Sequence, residues 1–231
     1  MARAHLVKSY DADLDALVDL ILAMGGGAKT ALAAALGALG DGDGEAASRV
    51  IDDDARLDAL EEAVDQRAVT LLALRQPMAE DLRLIAMSLK ISNDLERIGD
   101  YAAGVAKRAR RLGAAPPPRA STRLRRMGEG LQAMLADVLD AYGRRDAGTA
   151  MQVWRRDGEV DDIYADVFRE LLGELQADPR LPSAGIDLLF VAKNLERIGD
   201  HTTNIAERVH YVVHGDRINR VRGEPAAASA W

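Results

Sequence analysis

The chain of 231 residues contains no cysteine, and aromatic residues make up only 4% of it. The absence of cysteine excludes disulfides, thiolate zinc sites, iron–sulfur clusters and a cysteine nucleophile, so any metal ion must bind oxygen or imidazole. With few aromatics, the apolar content is mainly Ala, Leu and Val, which favours helix over sheet. No uninterrupted apolar run approaches the roughly 20 residues that span a bilayer, and aspartates interrupt the N-terminal region where a secretory signal is apolar. We expect a soluble, cytoplasmic protein.

The charges are unevenly placed along the chain. There are 37 acidic and 30 basic side chains, giving a formal net charge of −7. Together with the lack of interleaved aromatics, this acidic balance argues against nucleic-acid binding. Between Asp100 and Glu129, however, every charged residue is basic: Lys107, Arg108, Arg110, Arg111, Arg119, Arg123, Arg125 and Arg126. This basic segment fits either a surface for an acidic partner or anionic lipid, or a linker flanked by helix-end cations.

Apolar residues recur at helical spacing in six segments, three on each side of a proline-rich stretch. The predicted helices cover about 14–39, 45–75, 78–112, 121–142, 146–176 and 183–213. Gly25-Gly26-Gly27 predicts a kink or break in the first helix, because each glycine costs about 1 kcal/mol relative to Ala in a helix interior. Three and three helices indicate an internal duplication. The predicted organisation is a first unit at 1–113, a proline-rich linker at 114–120, a second unit at 121–214 and a polar tail at 215–231.

One hexapeptide, Leu-Glu-Arg-Ile-Gly-Asp, occurs twice, at 95–100 and at 195–200. The repeat falls on the third predicted helix of each half, which supports the duplication. Glu96 and Asp100 are four residues apart, so their carboxylates lie on one helix face about 6 Å apart along the axis, and Glu196 and Asp200 do the same. A weaker repeat on the second predicted helices, a pair of aspartates four residues apart, provides further carboxylates: Asp54 and Asp58 in the first half, and Asp157 and Asp161 in the second.

Two interpretations of these carboxylates are about equally supported by spacing alone. A divalent cation would offset the repulsion between like charges at this spacing, which is roughly 0.2–0.5 kcal/mol per pair. All-oxygen ligands suit Mg²⁺, Mn²⁺, Ca²⁺ or non-haem iron better than a structural zinc site. The alternative is a surface lattice of ion pairs with Arg97 and Arg197, since acidic pairs at this spacing are common on solvated helix faces.

Other sequence features do not point to an active site. Glu207 and His210 have the three-residue spacing of a di-iron ligand pair, but the corresponding positions in the first half are Lys107 and Arg110, so the required second copy is absent. His201 corresponds to Tyr101, which makes it an improbable shared ligand. The Gly25–Thr30 segment lacks the spaced glycines and preceding strand of a phosphate-binding loop.

The paired hexapeptide resembles that of the PhoU family, the accessory regulators of bacterial phosphate-specific transport. The similarity extends to Arg75-Gln76-Pro77, to Asp81-Leu82-Arg83 and to Tyr211…Gly215, and covers roughly residues 5–215. In the second half Leu181-Pro182-Ser183 replaces Arg75-Gln76-Pro77, so the halves need not act alike. The resemblance implies an all-α fold of two tandem three-helix bundles.

The resemblance also implies a function. Members of this family act as negative regulators between the phosphate ABC transporter ATPase subunit and a sensor histidine kinase, many form homodimers, and none is known as an enzyme. Their acidic motifs hold metal ions, so iron, magnesium, manganese or zinc is expected here and no organic cofactor. The implied ligands are Glu96, Asp100, Glu196 and Asp200, with Asp54, Asp58, Asp157 and Asp161 as weaker candidates.

Two alternatives to the adaptor stay open at this point. One is a metal-dependent hydrolase or oxidase acting at the acidic clusters, which would need an open coordination position and a general base. The other is a purely structural bundle with solvated acidic faces. An adaptor would meet the membrane only through its partners.

Overall fold

The computed structural model describes residues 2–75, 77–113, 118–177 and 182–218. Within these ranges the chain forms helices and no strand. The helices are α1 (Ala2–Asp41), α2 (Gly44–Asp52), α3 (Ala55–Arg75), α4 (Ala79–Leu112), α5 (Pro118–Arg144), α6 (Ala147–Arg155), α7 (Asp157–Ala177) and α8 (Pro182–His214).

The all-α prediction is therefore confirmed, but the second predicted helix of each half is wrong as a single element. The expected helix at 45–75 is divided into α2 and α3 by a turn at Asp53 and Asp54, and the expected helix at 146–176 is divided into α6 and α7 at Arg156. In each case a new helix begins immediately, because the amide of Leu57 donates to the Asp54 carbonyl and that of Glu159 to the Arg156 carbonyl.

Two aspartates start the short helices in the same way. The side chain of Asp43 accepts hydrogen bonds from the amides of Glu45 and Ala46 at 3.0 and 2.9 Å, which fixes the start of α2. Asp146 accepts from the amides of Gly148 and Thr149 at 2.8 and 3.1 Å and fixes the start of α6. Such N-caps satisfy amides that the helix itself leaves without partners.

The break predicted at Gly25-Gly26-Gly27 is also wrong, because α1 continues through it, and α1 begins well before the predicted start near residue 14. Gly25 is required for packing instead: a Cβ there would collide with the Leu139 side chain on α5. The related contact recurs on the other side, where a Cβ at Gly128 of α5 would collide with Leu36 of α1. Since 128 and 139 lie 103 positions after 25 and 36, α1 and α5 cross as two copies of one helix related by an approximate two-fold axis.

A single continuous core joins both halves. In the first half α4 packs against α1, α2 and α3; in the second α8 packs against α5, α6 and α7; and α4 and α8 pack along each other at the centre. Ile91, Leu95, Ile98 and their counterparts Val191, Leu195 and Ile198 are fully buried. The backbone of each hexapeptide is thereby held rigid, with its acidic side chains at the edge of the core.

The remaining sequence boundaries stand as follows. α4 begins after Met78 and ends at Leu112 before Gly113, whose positive φ of 61° suits glycine. α5 begins at Pro118, earlier than expected, and proline at a first helical position lacks only an amide that has no intrahelical partner. Residues 114–117 of the predicted linker, 178–181 between α7 and α8, and the tail beyond 218 lie outside the described residues.

One helix has the length and composition of a membrane span, the stretch Tyr10–Asp41 of α1. The same properties occur in core helices of soluble proteins. Leu17, Ile21, Met24, Ala28 and Leu32 of this stretch are fully buried against the rest of the bundle. One face of α1 is therefore part of the core of the bundle.

Candidate functional site: two carboxylate clusters

The first carboxylate cluster lies where the turn before α3 meets the middle of α4. It consists of Asp54, Asp58, Glu96 and Asp100. Gly99 permits the close approach, because a Cβ at this position would collide with Leu57 and lie 3.6 Å from Oδ1 of Asp54. The sequence pattern placed these four acids on adjacent helices, and the structure brings them to one edge of the first half.

The carboxylates of this cluster are crowded and partly buried, which raises the pKa of two of them. Burial, followed by the charge of Asp100, raises the pKa of Glu96 to about 7. Burial and the charges of Asp100 and Asp58 also raise the pKa of Asp54. Arg97 offsets part of the repulsion: its Nε lies 3.3 Å from Glu96 and its Nη1 donates to Asp100 at 2.9 Å.

The second carboxylate cluster, made of Asp157, Asp161, Glu196 and Asp200, lies at the corresponding edge where α7 meets α8. Burial and the charges of Glu196, Asp157 and Asp161 raise the pKa of Asp200 to about 6. Burial and Asp157 likewise raise the pKa of Asp161. The cation here is Lys193, which donates to Glu196 at 2.7 Å and thus takes the place that Arg97 has in the first cluster.

The donor set suits a hard cation, yet the side chains are not arranged around one. Among the described residues, no three carboxylate or histidine side chains are grouped closely enough to hold a metal ion as they stand. The Glu96 and Glu196 side chains are only 16% and 14% exposed, and Oε2 of each is buried. Oε2 of Glu96 has the Arg97 guanidinium beside it at 3.3 Å, whereas Oε2 of Glu196 accepts no hydrogen bond from the described residues. A buried carboxylate oxygen without a donor is unfavourable, and a bound cation is one way to satisfy it. Rotation of the neighbouring aspartates would be needed to complete a coordination shell.

A polar network that the sequence analysis missed lies between the halves. Asp94 on α4 is 2% exposed; its Oδ1 lies 2.9 Å from Nδ1 of His201, and Arg208 forms an ion pair with it. Burial lowers the pKa of Arg208 to about 10 and lowers that of His201. The sequence did contain a sign that Asp94 is buried. Asp94 lies three residues after Ile91 and four before Ile98, which places it on the apolar face of α4. His201 is thus an inter-half contact, as its placement next to a buried aspartate shows.

Three arginines of the basic segment pair with carboxylates of the protein itself. Arg111 pairs with Asp187 at 3.3 Å, and Arg123 pairs with Asp166 and Glu170 at 3.2 and 2.8 Å. Arg125 lies 4.0 Å from Glu129. For these three arginines the contacts favour a structural role at helix ends over a surface for an acidic partner.

Comparison with known proteins identifies the family. The sequence model of the PhoU domain matches the chain twice, at residues 21–109 and 124–209. The chain belongs to the PhoU family. The phosphate-specific transport system accessory protein PhoU homolog of Caulobacter vibrioides (strain NA1000 / CB15N) is 48% identical over 219 residues, covering 94% of this chain and 95% of that protein.

Two solved PhoU structures share the fold. The crystal structure of PhoU from Pseudomonas aeruginosa matches with a TM-score of 0.86 and 40% identity, covering 90% of this chain and all of that one. The phosphate transport system regulatory protein PhoU from Streptococcus pneumoniae matches with a TM-score of 0.84 and 31% identity, covering 91% of this chain and 99% of that one. In this PhoU-family chain each domain match includes one hexapeptide, so each carboxylate cluster belongs to one PhoU domain.

Proposed function

We propose that this chain is an accessory regulator of phosphate-specific transport that represses inorganic phosphate uptake when phosphate is plentiful. The observation that carries the proposal is the double PhoU-domain match, with one Leu-Glu-Arg-Ile-Gly-Asp segment in each domain. Relatives that cover most of the chain are named as phosphate-specific transport system accessory proteins. The family is not known for enzymes, and neither the comparisons nor the clusters favour the hydrolase or oxidase alternative.

We further propose that the chain acts in the cytoplasm as an adaptor between the transporter ATPase subunit and a sensor histidine kinase, as a homodimer. An adaptor needs an exposed contact surface, and α7 and α8 expose large apolar side chains where the first half is smaller or charged. Phe168, Leu172, Ile186 and Phe190 are 41–50% exposed, and the corresponding first-half residues are Asp65, Val69, Ala86 and Lys90. The first half also exposes apolar side chains, with Val69 at 61% and Leu74 at 73%. Exposed apolar groups of this size are typical of interaction surfaces.

The third part of the proposal is that both carboxylate clusters bind a metal ion, with iron, magnesium, manganese and zinc as candidates. Crowded carboxylates with raised pKa values, and a buried Oε2 on Glu196 that accepts no hydrogen bond from the described residues, support it. The metal would supply positive charge that fixes the position of α4 relative to α3, and of α8 relative to α7. A partner could then bind the rigid surface of the metal-loaded protein in preference to the metal-free protein.

The regulatory proposal is tested by expression in a bacterium that lacks its own PhoU-family protein. Phosphate uptake at high external phosphate is measured with no insert, with the wild-type chain and with the Glu96→Gln/Glu196→Gln variant. A matched control, Glu62→Gln/Glu129→Gln, alters two exposed glutamates outside the clusters.

We expect the wild type and the control to lower uptake, and the cluster variant to lower it less. Unchanged uptake with a folded, well-expressed wild-type chain would contradict the regulatory proposal. Equal repression by the wild type, the cluster variant and the control would show that the clusters are not needed for repression, while the regulatory proposal itself would stand.

A further inference from the structure

A cavity of about 250 Å³ lies between α4, the C-terminal turns of α8 and the residues that follow α8. It shares no residue with either carboxylate cluster. Three of its lining side chains are cationic, one is a carboxylate and three are apolar or aromatic: Lys90, Arg208, Arg217, Glu207, Met87, Tyr211 and Ile218.

The approximate two-fold symmetry gives this cavity an equivalent position in the other half. At the corresponding place, where α8 begins beside the end of α4, Arg111 pairs with Asp187 at 3.3 Å and Arg108 lies 5.1 Å above the ring of Phe190. These contacts bridge the two helices there. Around the cavity Tyr211 and Met87 replace Arg111 and Asp187, and Lys90 replaces Phe190, so at these positions neither the ion pair nor the contact of the arginine with a ring can form. The side chains that line the cavity therefore differ from those at the equivalent position of the other half.

The charges that line the cavity fall into two groups. Arg208 is engaged by Asp94 and donates to the Lys90 carbonyl at 2.9 Å, and Glu207 accepts a hydrogen bond from the Trp154 indole at 3.0 Å. Lys90 and Arg217, in contrast, form no ion pair with any carboxylate in the described part of the chain. Cations therefore outnumber carboxylates around this cavity, in a chain whose net charge is −7.

We propose that this cavity binds a small organic phosphate. Its phosphate group lies between Lys90 and Arg217, because an ammonium group and a guanidinium fork are the side chains that bind phosphate most readily. Its apolar or aromatic part lies against Met87, Tyr211 and Ile218, since a thioether and an aromatic ring offer polarisable surface for stacking. The volume is near the lower end of ligand pockets, which suits a ligand of mononucleotide size or smaller.

Calorimetric titration of the full chain at low salt tests the proposal with three probes: AMP, inorganic phosphate and adenosine. We expect AMP to bind about tenfold or more tightly than adenosine, because adenosine lacks the anionic group, and more tightly than phosphate, which lacks the ring. Equal binding of AMP and adenosine, equal binding of AMP and phosphate, or no binding of AMP at millimolar concentration would overturn it.

Variants of the lining residues locate the site. Lys90→Gln and Arg217→Gln should each weaken AMP binding by about tenfold, the usual effect of losing one charge-assisted hydrogen bond. Arg144→Gln is the matched control, since Arg144 is an exposed arginine on α5 that pairs with Asp140. Its AMP affinity should equal that of the wild type. Wild-type affinity in both lining variants would overturn the assignment of the site.

A closing variant tests the argument from symmetry directly. Met87→Asp/Tyr211→Arg copies the Asp187 and Arg111 pair of the equivalent position into the cavity. With an unchanged helical circular dichroism spectrum, it should abolish AMP binding, and retained binding would contradict the proposal. The two single glutamine variants keep the proposal testable if the closing variant fails to fold.

Discussion

At the residue scale, the same amino acid has different roles according to what lies opposite it. The three glycines at 25–27 read in sequence as a helix break, because periodicity and propensity describe a helix in isolation. In the fold, Gly25 faces Leu139 of the other half, while Gly26 faces open space. The sequence could not show this, since it carries no record of which helix packs against which. The helix continues because the packing of α1 against α5 compensates for the low helix propensity of glycine.

Alanine substitutions at these two neighbours should have opposite effects. Gly26→Ala adds a methyl group in open space and should raise the free energy of unfolding by about 0.5–1 kcal/mol. Gly25→Ala forces the methyl group against Leu139 and should lower it by about 1–2 kcal/mol after the gain in propensity is subtracted. Urea denaturation of both variants measures the difference. Stabilisation by Gly25→Ala equal to that by Gly26→Ala would show that α1 and α5 do not approach as described.

A pH dependence follows from Glu96. Its pKa in the folded chain is about 7, above the usual value of 4.5, so the folded state retains a proton that the unfolded state has lost. The contribution of Glu96 to the free energy of unfolding is therefore greatest below pH 4.5 and decreases as the pH rises to about 7. In chelator-treated protein, Glu96→Gln should remove this decrease and raise stability at pH 8 by about 1–2 kcal/mol, with solvent screening allowed for.

The free energy of unfolding of wild type and of Glu96→Gln is measured by denaturation at pH 5 and pH 8. The effect is the change between the two pH values in wild type minus the same change in Glu96→Gln. Glu62→Gln, which changes an exposed glutamate on α3, serves as the control. An equal pH response in wild type and Glu96→Gln would show that crowding around Glu96 does not affect folding.

At the element scale, the divided second helices position the clusters. The turn at Asp53 and Asp54 brings Asp54 to Gly99, and the boundary at Arg156 makes Asp157 the first residue of α7. Apolar periodicity continues through both boundaries, so it predicted one long helix in each half. The caps Asp43 and Asp146, which lie 103 positions apart, mark where α2 and α6 begin and not where they end, so they did not signal the division.

Removal of a cap should destabilise the short helix that depends on it. Asp43→Ala leaves the amides of Glu45 and Ala46 without their acceptor and should lower the free energy of unfolding by about 0.5–2 kcal/mol. Asp43→Asn, which keeps an acceptor oxygen, should retain most of the stability. Thermal unfolding of the two variants tests this, and equal losses would mean that the charge of Asp43, and not its hydrogen bonds, stabilises α2.

At the scale of the whole molecule, the duplication is the feature that the sequence predicted best. The repeated hexapeptide located the central helix of each half and the carboxylates at its edge. The pairing of the halves was not predictable, because an apolar stripe specifies a buried face but not its partner. Asp94 illustrates the difficulty: an aspartate on a helix usually faces solvent, whereas this one is buried between the halves with His201 and Arg208.

The contribution of this inter-half ion pair can be measured by a double-mutant cycle of wild type, Asp94→Leu, Arg208→Met and the double variant. Arg208→Met leaves Asp94 buried without its cation and should cost about 3–5 kcal/mol of unfolding free energy. Asp94→Leu/Arg208→Met removes both charges and should recover much of that loss, because no unpaired charge remains. Additive losses would show that the two side chains stabilise the halves independently.

The central claim is that the repeated Leu-Glu-Arg-Ile-Gly-Asp segments form a pair of metal-binding regulatory sites. Metal content per chain, measured by inductively coupled plasma mass spectrometry on untagged protein, tests it most directly. Wild type is compared with Glu96→Ala/Glu196→Ala and with the surface control Glu62→Ala/Glu129→Ala. The account predicts stoichiometric metal in wild type and control and its loss in the cluster variant. Metal-free, folded wild type, or equal metal in all three chains, would contradict it.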